Sequence, residues 1–154
     1  MKLSKKIGLG LVLAFAAIQL VTYERTNPPV VAGIAAAPDL KAILSRACYD
    51  CHSNETKWPW YSRVAPASWL VHHDVIEGRA ALSFSDWEAL SAEKQSKLRR
   101  EIGKEVAEGE MPPWFYTPLH PRSALSSADK QILQAWSRSA GDAPGRGERD
   151  EHDE

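Results

Sequence analysis

Apolar positions along the chain fall into two kinds of pattern. From Ile7 to Val21 they form one 15-residue run, interrupted only by Gln19 and carrying no polar stripe. From Asp39 onward they recur every third or fourth residue, the spacing of a helix with one buried face. Asp39 is placed to cap a helix through Arg46, with Leu40, Ile43 and Leu44 on one stripe. Pro66 suits the first turn of a helix running to about Glu77, and Gly78 reads as its end. Ser85 and Glu88 have capping-box spacing for a short helix containing Trp87 and Leu90. Ser91 opens a longer helix on which Leu98, Ile102 and Val106 repeat until Gly109 stops it. Ser126 caps a last helix presenting Ala128, Ile132 and Trp136, closed by Gly141. No stretch alternates apolar with polar residues, so the expected fold is all-α.

The N-terminal run changes the picture from a free domain to an exported one. Lys2, Lys5 and Lys6 precede it, which is the order of basic and apolar regions in an export signal. No small-residue cleavage site follows closely, because Thr22-Tyr23-Glu24-Arg25 is bulky and charged. Counted to Tyr23, the run from Ile7 reaches 17 residues, the short limit for a bilayer span. Residues 1–23 therefore read as a signal peptide or membrane anchor, acting through residues 7–23. Positive-inside bias then places the remainder on the periplasmic side of a bacterial inner membrane. Residues 24–38, with Asn27-Pro28-Pro29 and small residues, read as a linker able to extend to about 50 Å. Residues 39–140 form the domain, and 141–154 a disordered tail of Pro, Gly and charge.

Charge excludes one class of partner. The 154 residues hold 19 Lys and Arg against 20 Asp and Glu, which leaves no surplus to neutralise phosphates, so no nucleic acid is expected. The tail from Asp142 carries six acids and two arginines, while the domain is balanced. A neutral domain of about 100 residues with long loops buries modest area, so an internal apolar cofactor would help hold it together.

The candidate chemistry lies at Cys48-Tyr49-Asp50-Cys51-His52, the C-x-x-C-H signature of covalent haem c. Thiols three residues apart at a helix end can reach two vinyl groups on one porphyrin edge, and the next side chain, His52, is directed at the iron. A zinc site is the first alternative, but it wants four ligands and there is no second C-x-x-C. A thiol–disulfide redox motif is the second, but it expects a βαβ pattern that is absent.

Met111, in Gly109-Glu110-Met111-Pro112-Pro113-Trp114, is the one methionine besides the initiator. Prolines deny its loop helix and hold it extended, which suits a fixed distal thioether. The competing reading is that it fills core space. His120, then His73 and His72, are the rival ligands, and an open sixth position is the remaining choice; His152 is expected to be solvated. Trp58, Trp60 and Tyr61, then Trp69, Trp87, Trp114, Phe115 and Tyr116, could line a macrocycle or simply pack a core. Arg63 and Arg79 could pair with propionates, though surface placement is the commoner fate, and Arg46 is expected to be solvated.

With these residues in view, the chain resembles the haem-binding domain family of small bacterial cytochrome-c-like proteins. The match rests on Cys48–Asn54, Trp58–Ser62, Ala65–Leu70, Glu77-Gly78-Arg79, Phe84-Ser85-Asp86-Trp87, Gly109–Tyr116 and His120-Pro121. It covers about Asp39 to Ser139. One departure is Ser83, where the resemblance leads to Asn. The resemblance implies a cytochrome-c-like helical fold around one haem c, with His52 proximal and Met111 distal, but it supplies no partner.

The expected function is single-electron transfer with membrane or periplasmic redox proteins, because iron held by both His52 and Met111 has no open position. The alternative is a gas sensor or peroxidase-like enzyme, which needs a displaceable sixth ligand and a polar distal group such as His120 or His73. No catalytic residue is expected for a carrier.

Overall fold

The computed structural model describes residues 3–139, and within them it holds six α-helices and no strand. They are α1 (Leu3–Ile18), α2 (Pro38–Ala47), α3 (Tyr49–His52), α4 (Ala67–Ala81), α5 (Ala92–Glu108) and α6 (Ser127–Arg138). The acidic tail, with His152 and the predicted stop at Gly141, lies outside the described residues.

α5 packs on α6, α2 lies against α6, and α3 packs on both α2 and α4. The core joins Leu40, Ile43 and Leu44 of α2 to Leu98 and Val106 of α5, Leu133 of α6 and the fully buried Trp87. Local chemistry sets two helices. Ser91 accepts from Lys94 N at the start of α5, and Gly109 ends it at φ 81°, a left-handed conformation that suits glycine. Ser126 and Asp129 form a reciprocal capping box on α6.

Four elements differ from the periodic reading. α2 starts at Pro38, so Asp39 sits inside the first turn, where it favours the helix dipole without capping. Gly78 does not end α4, which runs on to Ala81. Ser85 and Glu88 make no capping box, because both are taken by other segments. Ser85 Oγ accepts from Asn54 N at 2.8 Å, and Glu88 Oε1 from Ala35 N at 3.0 Å, leaving only a 3₁₀ turn over Trp87–Ala89. On α6 the fully buried positions are Leu133 and Ser137; of the expected stripe Trp136 packs on the core, while Ala128 and Ile132 face solvent.

Arg46, expected to be solvated, is instead half-buried and paired. It donates to the carbonyls of Arg122 and Ala124 and pairs with Asp129 at 2.6 Å, tying α2 to α6. That pairing and the Ser126 hydroxyl lower the Asp129 pKa from 3.8 to about 2. A depressed folded-state pKa stabilises above the unfolded value and is lost as pH falls through the folded one. Unfolding midpoints should therefore drop between about pH 4 and 2. Asp129→Asn should flatten that part of the profile; an unchanged acid limb would disprove the coupling. The pair is partly solvated, so its contribution should stay below about 1 kcal/mol.

The expected linker is not free. Residues 19–36 form a strap hydrogen-bonded along the domain. Gln19 accepts from Ala65 N and donates to Ala65 O, Asn27 donates to Thr56 O, and Ile34 N donates to Phe84 O. Ile34 itself is buried in the core. Peptide groups that pair with the domain lose the freedom on which a 50 Å reach depended. α1 buries no residue, and no helix among the described residues is long and apolar enough to cross a membrane.

Candidate functional site

Cys48 stands at the joint between α2 and α3, with its N–H bonded to Leu44 O and its carbonyl accepting from His52 N at 2.9 Å. The resulting single turn holds Cys51 and His52 against α4. Contact there is very close: a Cβ on Gly78 would lie 2.6 Å from the Cys51 carbonyl oxygen. The glycine is required by this approach and not by a turn.

The same approach orients His52. Its Nδ1 lies 2.7 Å from Gly78 O and 3.3 Å from Leu82 O. A carbonyl only accepts, so Nδ1 carries the hydrogen and Nε2 keeps its lone pair. Burial also lowers the His52 pKa, against the pull of those two carbonyls, and favours the neutral ring. A neutral imidazole with one nitrogen tethered and the other free is the form that ligates a metal.

Two adjoining cavities open beside α3. The first, about 400 Å³, is lined by Cys48, Cys51, His52, Gly78, Met111 and Pro113 among others. The second, about 520 Å³, is lined by Pro59, Trp60, Tyr61, Leu70, Leu119 and His120 among others. Both are bordered by Asp50, Cys51, Asp74, Phe115 and Tyr116. Each falls in the size range of cofactor sites. Between them Tyr116 donates to Asp50 Oδ2 at 2.6 Å, while Asp50 Oδ1 accepts from Lys57 N. Burial, then this carboxylate, pushes the Tyr116 hydroxyl far above its usual range, so it stays a donor.

The predicted residues divide between these cavities. Cys48, Cys51, His52 and Met111 come together in the first. His120 lines the second, its Nε2 2.6 Å from Tyr61 Oη and its ring stacked on Tyr116 at 4.0 Å. His72 stacks on Tyr23 of the strap, and His73 is exposed; neither lines a cavity. Trp60, Tyr61, Phe115 and Tyr116 do line the cleft, whereas Trp87 is core and Trp58 and Trp69 bond the strap through their indole N–H groups.

Arg79 is neither a surface residue nor free for a carboxylate guest. It donates to Ser53 O, Thr26 O, Asn27 Oδ1 and Thr56 Oγ1, binding the strap to the segment after His52. Arg63 remains exposed. Ser83 donates to Asp86 at 2.8 Å, so that loop keeps a hydrogen bond with serine in place.

The thiols are unlike those of a redox motif. Burial raises Cys48 to about 12 and Cys51 to about 11, with the charge of Asp74 adding to the second. A nucleophilic C-x-x-C needs its thiol pKa depressed. Among the described residues no three His, Cys, Asp or Glu side chains are grouped to hold a metal ion by themselves.

The donor set thus fits a flat apolar group with a central metal: two thiols on one rim, one free imidazole nitrogen, one thioether, and aromatic walls. These features define a small helical cofactor-binding protein. A family model for the haem-binding domain matches residues 13–139, and the chain belongs to that family. The matched span begins inside α1 and takes in the whole strap. No curated protein and no solved structure matches the chain.

The sequence leaves Asp50 without a role and marks Tyr61 and Tyr116 only as wall or core aromatics, not as hydrogen-bonding groups. Their partners are 59 to 66 positions away, a separation at which no local periodicity operates.

Proposed function

We propose that this protein carries one haem c and passes single electrons on the periplasmic side of a bacterial inner membrane. The observation that carries the reading is the convergence of Cys48, Cys51, His52 and Met111, from two distant segments, on one cavity. When bound, the haem supplies a reversible one-electron change at iron.

The residues have separable tasks. Cys48 and Cys51 would hold the haem covalently, each thiol S–H adding across a vinyl C=C so that no leaving group is needed. His52 would ligate the iron through Nε2, its ring fixed by the Nδ1–H bond to Gly78 O. Met111, lining the same cavity, would supply a thioether ligand, which raises the potential relative to a second histidine. Phe115 and Tyr116, which line the cavity, would face the bound group with aromatic surface. Iron held by both His52 and Met111 would leave no place for a substrate, which is why transfer is favoured over catalysis. His120, the polar group that a gas-binding or peroxidase-like site would use, lies in the other cavity with Nε2 bonded to Tyr61.

α1, exposed as far as Ala17 and apolar after Lys5 and Lys6, is the proposed anchor that holds the carrier near membrane redox enzymes. The oxidised spectrum after maturation with haem is the test. Wild type should show the weak far-red band of an iron–thioether bond, and Met111→Ala should lose it. A low-spin spectrum that ignores this substitution would move the ligand elsewhere, and a colourless preparation would end the haem c reading.

A further inference from the structure

α1 presents a length problem. At 1.5 Å per residue its 16 residues span about 24 Å, short of the ~30 Å hydrocarbon core of a bilayer. If the helix alone entered the membrane, roughly 6 Å would go uncovered. The surface where α1 meets the domain supplies that depth. Leu20 is 84% exposed, Val21 50% and Val64 37%, and they surround the point where Gln19 joins Ala65.

That junction is chemically prepared for a dry environment. The Gln19 carboxamide oxygen accepts from Ala65 N at 2.9 Å, and its nitrogen donates to Ala65 O and Phe15 O, both at 3.1 Å. An amide so paired enters an apolar layer without the several-kcal/mol cost of a bare one, of order 2–7. The same bonds prevent α1 from swinging on a free hinge.

The next layer out has the chemistry of a headgroup region. Trp69 donates its indole N–H to Val21 O, and Tyr23 stacks on His72 at 4.5 Å; aromatic rings with a polar tip favour this depth. A small recess beside them is lined by Arg25 and Arg63 and by no acid, which matches anionic lipid phosphates.

We infer that the face bearing Leu20, Val21 and Val64 is a membrane-docking surface, which enters the bilayer interface behind α1 and holds the domain in one orientation. The inference rests on the reading of α1 as the anchor. The occupant is lipid, because the face continues the uncovered surface of α1 and is bordered by cations.

The test uses the full chain in vesicles of phosphatidylethanolamine and phosphatidylglycerol that contain a phospholipid with a diazirine-bearing tail. After photolysis, adducts are mapped by mass spectrometry. Adducts are expected on α1 and also on Leu20, Val21 and Val64, with none on Trp114 or Leu119. Gln19→Ala should abolish the adducts on Val64 and leave those on α1 intact. Val64→Asp, at an exposed position that does not threaten folding, should do the same for its own segment. Adducts confined to α1 in the wild type would overturn the docking surface while keeping the anchor. A chain that stays in the supernatant would overturn both.

Discussion

Gly78→Ala should destabilise the protein, although helix propensity alone argues the opposite sign. Inside a helix, alanine is better than glycine by about 1 kcal/mol. Gly78 is inside α4, but the new methyl would meet the Cys51 carbonyl oxygen at 2.6 Å and Cys51 Cβ at 3.0 Å. The obstructing atoms are mostly backbone, so relief requires α3 to move as a unit. Overpacking of this kind costs about 1–3 kcal/mol, which outweighs the propensity gain. Gly78→Val, with two more methyl groups and a branched Cβ, should lose about 3 kcal/mol or more. The shift should also lengthen the bond from His52 Nδ1 to the Gly78 carbonyl, so haem content should fall alongside the urea midpoint. If alanine raised the midpoint instead, the close contact of α3 with α4 would be refuted.

Trp87→Ala is expected to cost about 3–5 kcal/mol, the range for removing a large buried aromatic residue. Trp87 is fully buried, stacked on Phe84 at 5.7 Å and tilted against Trp136 of α6 at 5.8 Å. It joins the segment after α4 to the α5–α6 pair, so its loss opens a cavity that no single element can close. Against a domain stability of about 5–15 kcal/mol, the variant would be marginal. Trp87→Phe keeps one ring in the stack and should lose less than half as much. Urea unfolding of all three chains measures the difference, and near-equal midpoints for Ala and wild type would remove Trp87 from the core. Because Trp87 lines neither cavity, a tightly held haem should restore part of the loss by binding only the folded state.

Several parts of this molecule were legible in the sequence because they are governed by contacts within one helical turn. Ser91 and Gly109 bound α5 as their capping chemistry requires, and Ser126 with Asp129 opens α6. The absence of alternating apolar positions predicted a helical fold. The motif from Cys48 to His52 is equally local: three residues of separation put both thiols on one rim of one turn.

Gly78 shows where that reasoning stops. A glycine near the end of a periodic stretch resembles a helix terminus, and only the approach of Cys51, 27 positions earlier, makes it an interior residue. Ser85 and Glu88 carry capping-box spacing, yet Asn54 and Ala35 take their side chains first. The strap reads as a tether because Pro, Gly and Ala have no periodic signature. Its order comes from carbonyls that meet Arg79 and Trp69, and from amides that meet Ala65 and Phe84. The sequence by itself determined the helical class, both ends of α5 and the start of α6. The tertiary structure decided which side chains share a cavity: Met111 with His52, and His120 in the adjoining one with Tyr61. The physical reason is range. Helix caps and stripes act over three or four residues, whereas the cleft is set by packing between segments whose separation along the chain leaves no mark on either one.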